Sequence, residues 1–142
     1  LIESNLPQTL QKASMISVIP WHDLEQYFSG SLDISPLQLI AVNANTTQSL
    51  FSTQLPDTSM APYFPKAATL IFDRSIKPSD RHFILIKLAD AETFVFRQLL
   101  IDGDQHYLKS MNPDLAAFPL RLLGEKDVII AKMIEFRCQY DH

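Results

Sequence analysis

Apolar residues along this chain fall in short blocks separated by turn-formers, and few of the blocks carry a helical period. Leu37–Val42, Gln48–Leu55, Thr69–Asp73, Phe83–Leu88, Thr93–Ile101, His106–Ser110 and Val128–Phe136 are each rich in β-branched or aromatic residues and predict strands. Turn signals divide them at Asn43–Thr47, Lys77-Pro78-Ser79-Asp80, Asp90-Ala91-Glu92, Asp102-Gly103-Asp104 and Asn112-Pro113-Asp114. Phe83–Ile86 is continuously apolar, which predicts a strand buried on both faces. Only Trp21–Phe28 reads as a helix, with Trp21, Leu24, Tyr27 and Phe28 sharing a face, and residues 29–36 are a loop by composition. Residues 1–15 are polar, contain Pro7 and read as a linker or arm, leaving 16–142 as one folded domain. The expected architecture is mainly β, built from short strands with a short N-terminal helix and no internal repeat.

Composition narrows the function classes. The chain has 142 residues, 46% hydrophobic and 20% charged, the balance of a single globular domain. No apolar run approaches the roughly 20 residues that cross a bilayer, and no basic segment leads into a signal-like apolar core, so no membrane role is expected. Opening on Leu1, the sequence reads as a portion of a longer protein. Its net charge is −4 and its 12 basic residues are scattered, so direct phosphate binding is not expected. Cys138 is the single cysteine, which fits a reducing cytoplasm and excludes both a disulfide within the chain and a paired-cysteine zinc site. His22, His82, His106 and His142 have no metal-ligand spacing, and neither metal nor cofactor is expected.

The chemistry-bearing stretch is Pro56-Asp57-Thr58-Ser59-Met60-Ala61-Pro62. A serine before Met-x-Pro at a strand end suits a nucleophile held in a fixed turn; taken alone it is more readily a structural turn serine. Other elements follow in order. Thr69-Leu70-Ile71-Phe72-Asp73 is a hydrophobic stretch, and Pro78 precedes the apolar Phe83–Leu88. Phe94-Val95-Phe96-Arg97-Gln98-Leu99 comes next, then Leu108-Lys109-Ser110-Met111-Asn112-Pro113 before a last strand near Ile129–Phe136. Taken together, residues 16 to 137 resemble the C-terminal domains of the LexA-type self-cleaving repressors, a family that includes LexA, UmuD and lambda-type phage repressors. The resemblance implies a LexA-like, signal-peptidase-like β fold of short twisted strands. It also matches Val18-Ile19-Pro20-Trp21 to the segment that carries the family's cleavage site.

In that family a serine attacks a peptide bond of its own chain, and a lysine held neutral by burial takes the serine's proton. The resemblance puts Ser59 at the nucleophile position and Arg97 at the lysine position. A guanidinium stays protonated in proteins and has no lone pair to offer, so Arg97 is not expected to act as a base. As an ordinary strand residue it would be an ion-pair partner. Lys87, on the neighbouring strand, is the alternative base. The family's small scissile pair is replaced by Leu24-Glu25, a poor fit to a pocket for small residues, while Ser29-Gly30 falls several residues too late. The family's Gly-Asp turns before two strands are replaced by Ala67-Ala68 and Arg81-His82, which points to altered turn geometry. Met60, Tyr63 and Phe64 are expected to pack beside Pro62 and Pro65, and Phe94, Phe96, Val128, Ile130 and Phe136 to be β-core residues.

The resemblance thus implies the dimerisation and regulatory domain of a LexA-like or phage-type repressor, deficient in self-cleavage. Its partners would be a second copy, operator DNA through an N-terminal helix-turn-helix outside this sequence, and a RecA filament or an antirepressor protein. The competing expectation is an active serine autopeptidase using Ser59 and Lys87, stimulated by RecA. A signal-peptidase relative acting on other proteins is a third, less favoured because it needs the same lysine and a membrane anchor.

Overall fold

A computed structural model describes residues 13–139. Within them the chain forms β1 (Ala13–Ile19), a 3-10 turn (Trp21–Asp23), α1 (Leu24–Ser29), β2 (Leu39–Asn43), β3 (Leu50–Gln54), β4 (Thr69–Asp73), β5 (Phe83–Leu88), β6 (Thr93–Asp102), β7 (Gln105–Lys109), β8 (Arg121–Leu122) and β9 (Val128–Arg137). The nine strands form one sheet in the order β2-β1-β3-β4-β9-β5-β6-β7-β8. Neighbours run antiparallel except β1 and β3, which are parallel. The mainly β architecture with one short N-terminal helix is therefore as the sequence pattern indicates. Strands β4 and β5 coincide with the predicted segments.

Two strands, β1 and the two-residue β8, depart from expectation. β1 begins at Ala13, so residues 13–15 of the expected arm are strand, and residues 1–12 lie outside the described residues. Its pairing with β3 is short, Val18 with Ser52 and Ile19 with Thr53. Hydroxyls reinforce it. Thr53 Oγ1 donates to the Ile19 carbonyl at 2.7 Å and Ser52 Oγ to the Ser17 carbonyl at 3.0 Å, which satisfies two polar side chains that are completely buried.

Strand β5 is the only stretch expected to be buried on both faces, and it separates two clusters. Ile84, Ile86 and Leu88 pack with Leu99 and Leu108 on one face. Leu85 and Phe83 join the main cluster on the other, with Phe51, Phe72 and Phe96 at its centre. The Phe51 and Phe72 rings stack with centroids 5.2 Å apart, and Phe96 meets Phe72 edge-on at 5.8 Å. Helix α1 lies over this main cluster: Leu24 is fully buried, and Trp21, Tyr27 and Phe28 pack against it. Gly30, at φ 82°, ends the helix in the left-handed conformation that glycine adopts without a Cβ clash. Met60 and Phe64 are core residues as expected, but Tyr63 is exposed. Phe94 and Phe96 are buried, whereas Val128 and Phe136 on β9 are exposed.

A serine turn clamped to the sheet and capped by arginine

Ser59 sits in the loop between β3 and β4. Two backbone bonds close the loop at its base, Leu55 N–H to the Ala68 carbonyl at 2.9 Å and Ala67 N–H to the Leu55 carbonyl at 2.8 Å. Two fully buried side chains, Met60 and Phe64, anchor its middle in the main core. Asp57 Oδ1 accepts the Ser59 N–H at 3.0 Å, an Asx turn that fixes the serine's backbone. The sequence motif thus encodes a rigid turn by three separate devices.

A second segment holds that turn from outside. The β6–β7 register pairs Gln98 with Lys109, and one step further brings Ser110 alongside Arg97. The Ser110 hydroxyl donates to the Ser59 carbonyl, which also accepts the Asn112 N–H at 3.1 Å. Asn112 Nδ2 donates to the Thr58 carbonyl at 2.7 Å, and the Met111 N–H reaches Met60 Sδ at 3.3 Å. The Ser-x-Asn-Pro element is therefore the clamp on the serine turn. Asp57, Ser110 and Asn112 stand within the motifs, but the sequence alone assigns them no role. Polar residues at matching ends of a strand pair and a long loop are the signal that would have found it.

Arg97, on β6, comes directly to this turn. Its Nη1 donates to Ser59 Oγ at 3.0 Å and to the Phe96 carbonyl at 2.8 Å. Ser59 itself is 1% exposed, so its hydroxyl lies beneath the guanidinium rather than open to solvent. Burial pulls the Arg97 guanidinium below the usual arginine range, and the nearby Asp57 carboxylate pulls it back up. The cation survives this environment, since arginine's ordinary value lies so far above neutrality. Arg97 is not the ion-paired strand residue anticipated for an ordinary β position: among the described residues no carboxylate lies within 4 Å of it. Chemically, this pair can hold an oxygen in place by donation. It has no group that removes the Ser59 proton.

Lys87 does not supply one. In the β5–β6 register Arg97 pairs with Ile84 and Phe94 with Lys87, so Arg97 shares a face with Ile84 and Lys87 points to the opposite face. There Lys87 Nζ meets Glu25 Oε2 at 2.7 Å and lies 5.8 Å from the centre of the Phe94 ring. The idea of Lys87 as a displaced base is thus corrected by strand parity. Nor is Leu24-Glu25 brought to Ser59. Leu24 is buried in the main core, Glu25 is tied to Lys87 on the far face, and both belong to α1 rather than to an extended segment.

The two turns without glycine are also not as expected. Ala67 has φ 74° and Arg81 φ 71°, so both positions keep the left-handed conformation that glycine favours, with other residues in place. The geometry was kept, at a cost of about 1 kcal/mol or more per residue. Both turns are well bonded. The Arg81 N–H donates to the Leu99 carbonyl at 2.7 Å, and the Leu99 N–H to the His82 carbonyl at 2.8 Å.

Beside Arg97, on the same sheet face, runs a groove of about 370 Å³ that sequence reading missed. Leu88, Val95 and Leu108 come from the sheet, and the segment from Ala117 to Arg121 closes the other side. Among the described residues no group of three His, Cys, Asp or Glu side chains is placed to hold a metal ion. No helix there is long and apolar enough to cross a membrane.

The Peptidase S24-like family model matches residues 14–134. A protein of Coxiella burnetii named as an uncharacterized HTH-type transcriptional regulator is 28% identical over 101 residues, 71% of this chain and 47% of that protein. The HTH-type transcriptional regulators for conjugative element R391 of Providencia rettgeri and for element SXT of Vibrio cholerae are each 36% identical over 56 residues, 39% of this chain and 26% of those proteins. The chain thus spans about half the length of the first relative and about a quarter of the other two at the matched residues. With the serine turn, its clamp and the sheet matched nearly end to end, the chain belongs to the S24-like peptidase family, the family of LexA and UmuD.

Proposed function

We propose that this chain, from β1 onward, is the regulatory and dimerisation domain of a LexA-like transcriptional repressor that has given up self-cleavage. The observation that carries this reading is the 3.0 Å hydrogen bond from Arg97 Nη1 to Ser59 Oγ. A permanently charged donor occupies the place where the reaction needs an acceptor. The helical, core-bound Leu24-Glu25 segment supports it independently, because peptide bonds are attacked in extended, accessible chain.

The relatives' names as HTH-type transcriptional regulators, and the half or more of their length that lies beyond the match, support DNA reading by a separate N-terminal domain. A net charge of −4 fits a domain that leaves phosphate contacts to another. Joining two copies would set the spacing of two reading heads on a two-fold operator and raise their effective concentration. Exposed Ile134 and Phe136 on β9 are apolar surface suited to such pairing. Such a repressor works in the cytoplasm. An antirepressor protein would then release it, in place of cleavage stimulated by the RecA filament.

The test is incubation of the purified protein at alkaline pH, with and without RecA filaments, alongside Ser59→Ala. The expected result is an intact chain in every sample. A fragment that appears in the wild type and not in Ser59→Ala would overturn the reading.

A further inference from the structure

We propose that the groove beside Arg97 is a binding site for a small monocarboxylate with an apolar tail. This rests on the reading above, in which Arg97 is a fixed cation rather than a failed base. The guanidinium carries five donors in a planar fork. Nη1 is committed to Ser59 Oγ and the Phe96 carbonyl, while Nε and Nη2 have no protein acceptor among the described residues. That free edge belongs to a residue lining the groove, and its geometry matches a carboxylate bidentately.

A second arginine on the groove wall is already held by the protein. Arg121 Nη2 bonds to Asp90 Oδ2 at 3.0 Å and lies 3.9 Å from Asp127 Oδ2, yet its Nε is buried with no acceptor. That donor has no surface open to the groove, so the ligand's carboxylate falls to Arg97. Between the two arginines the lining is apolar, from Leu88 and Leu108 on the sheet to Phe118 and Leu120 opposite. The volume of about 370 Å³ lies at the small-ligand end of protein pockets.

Charge limits the choice of anion. Asp57 lies near Arg97, and Asp90 and Asp127 hold Arg121, so a dianion such as phosphate meets three carboxylates against two guanidinium groups. A monoanion meets far less repulsion, and its tail takes the apolar lining out of water.

Octanoate is the probe, with octanol, acetate and inorganic phosphate beside it, titrated calorimetrically into the intact protein. Saturable binding of octanoate at millimolar concentration or below is expected, with octanol, acetate and phosphate each much weaker. Arg97→Met should weaken octanoate about ten- to hundred-fold, the worth of a charge-assisted hydrogen-bond pair. Leu120→Asp, at an exposed lining position where the fold is not at stake, should weaken it as well. Melting curves identify any variant that has lost its fold. No saturable octanoate binding, equal binding of octanol, or unchanged binding in folded Arg97→Met would overturn the proposal. So would capture of apolar peptides ending in a free carboxylate where octanoate fails. The same samples are run on a gel: a Ser59-dependent fragment brings down the non-cleaving reading, whereas intact protein without binding brings down this inference alone.

Discussion

The serine turn and helix α1 are the two halves of what would be a self-cleavage site, and they have fared differently. The turn keeps its Asx bond, its two buried anchors, its clamp from Ser110 and Asn112, and left-handed turns at Ala67 and Arg81. On the proposed reading, Arg97 stands at the position of the base. The segment that the same reading puts at the substrate position is helical, with Leu24 in the core and Glu25 bonded to Lys87 across the sheet from Arg97. On the proposed reading, the contrast teaches that a scaffold outlasts the chemistry it supported. Serine turn and clamp hold β3, β4, β6 and β7 together, so they carry stability whether or not they carry catalysis. A cleavable segment must instead be free to move, and nothing in the fold preserves that freedom once it has no use.

The largest test of the contrast is Leu24→Ala, which should destabilise the protein by about 2–5 kcal/mol in chemical denaturation, as expected for a fully buried leucine. A cost under about 1 kcal/mol would mean that α1 is loosely held, as a mobile cleavage segment would be. Next comes Asn112→Ala, which removes the 2.7 Å bond to the Thr58 carbonyl and the exposed 2.9 Å bond from the Asp114 N–H. It should cost about 1 kcal/mol and speed amide hydrogen exchange in the serine turn. Exchange unchanged there would show that the clamp does not hold the turn.

Much of this was legible in the residues, for reasons that can be named. β4 and β5 are unbroken apolar runs between turn-formers, so pattern alone bounds them. The nearness of Ser59 and Arg97 was implied by the family resemblance that the ordered motifs carry, each loose by itself and restrictive together. β1 was not legible because Ser14 and Ser17 make it look polar; its parallel pairing with β3 depends on hydroxyls of Ser52 and Thr53 that no local pattern announces. The place of Lys87 was hidden for a different reason. Which face it takes depends on the β5–β6 register, and a single residue of slip would have put it on the face of Arg97. The groove was missed because its outer side comes from residues 117–121, which have no periodicity.

The smallest expected effect concerns the left-handed turns. Ala67→Gly relieves a Cβ clash at φ 74° and gives up some chain entropy, for a net gain of about 0.5–1 kcal/mol. Arg81→Gly should do the same at φ 71°. A loss of stability in either would show that the turn geometry differs from the one described.

The claim that both halves of the site have been lost independently is met most directly by Arg97→Lys. This change restores a group able to take the Ser59 proton and leaves α1 as it is. Incubated at alkaline pH beside the Arg97→Lys, Ser59→Ala double variant, the single variant is expected to remain a single intact chain by mass spectrometry. A Ser59-dependent cut within residues 20–30 would contradict the account, because it would mean that α1 can still leave the core and reach the serine.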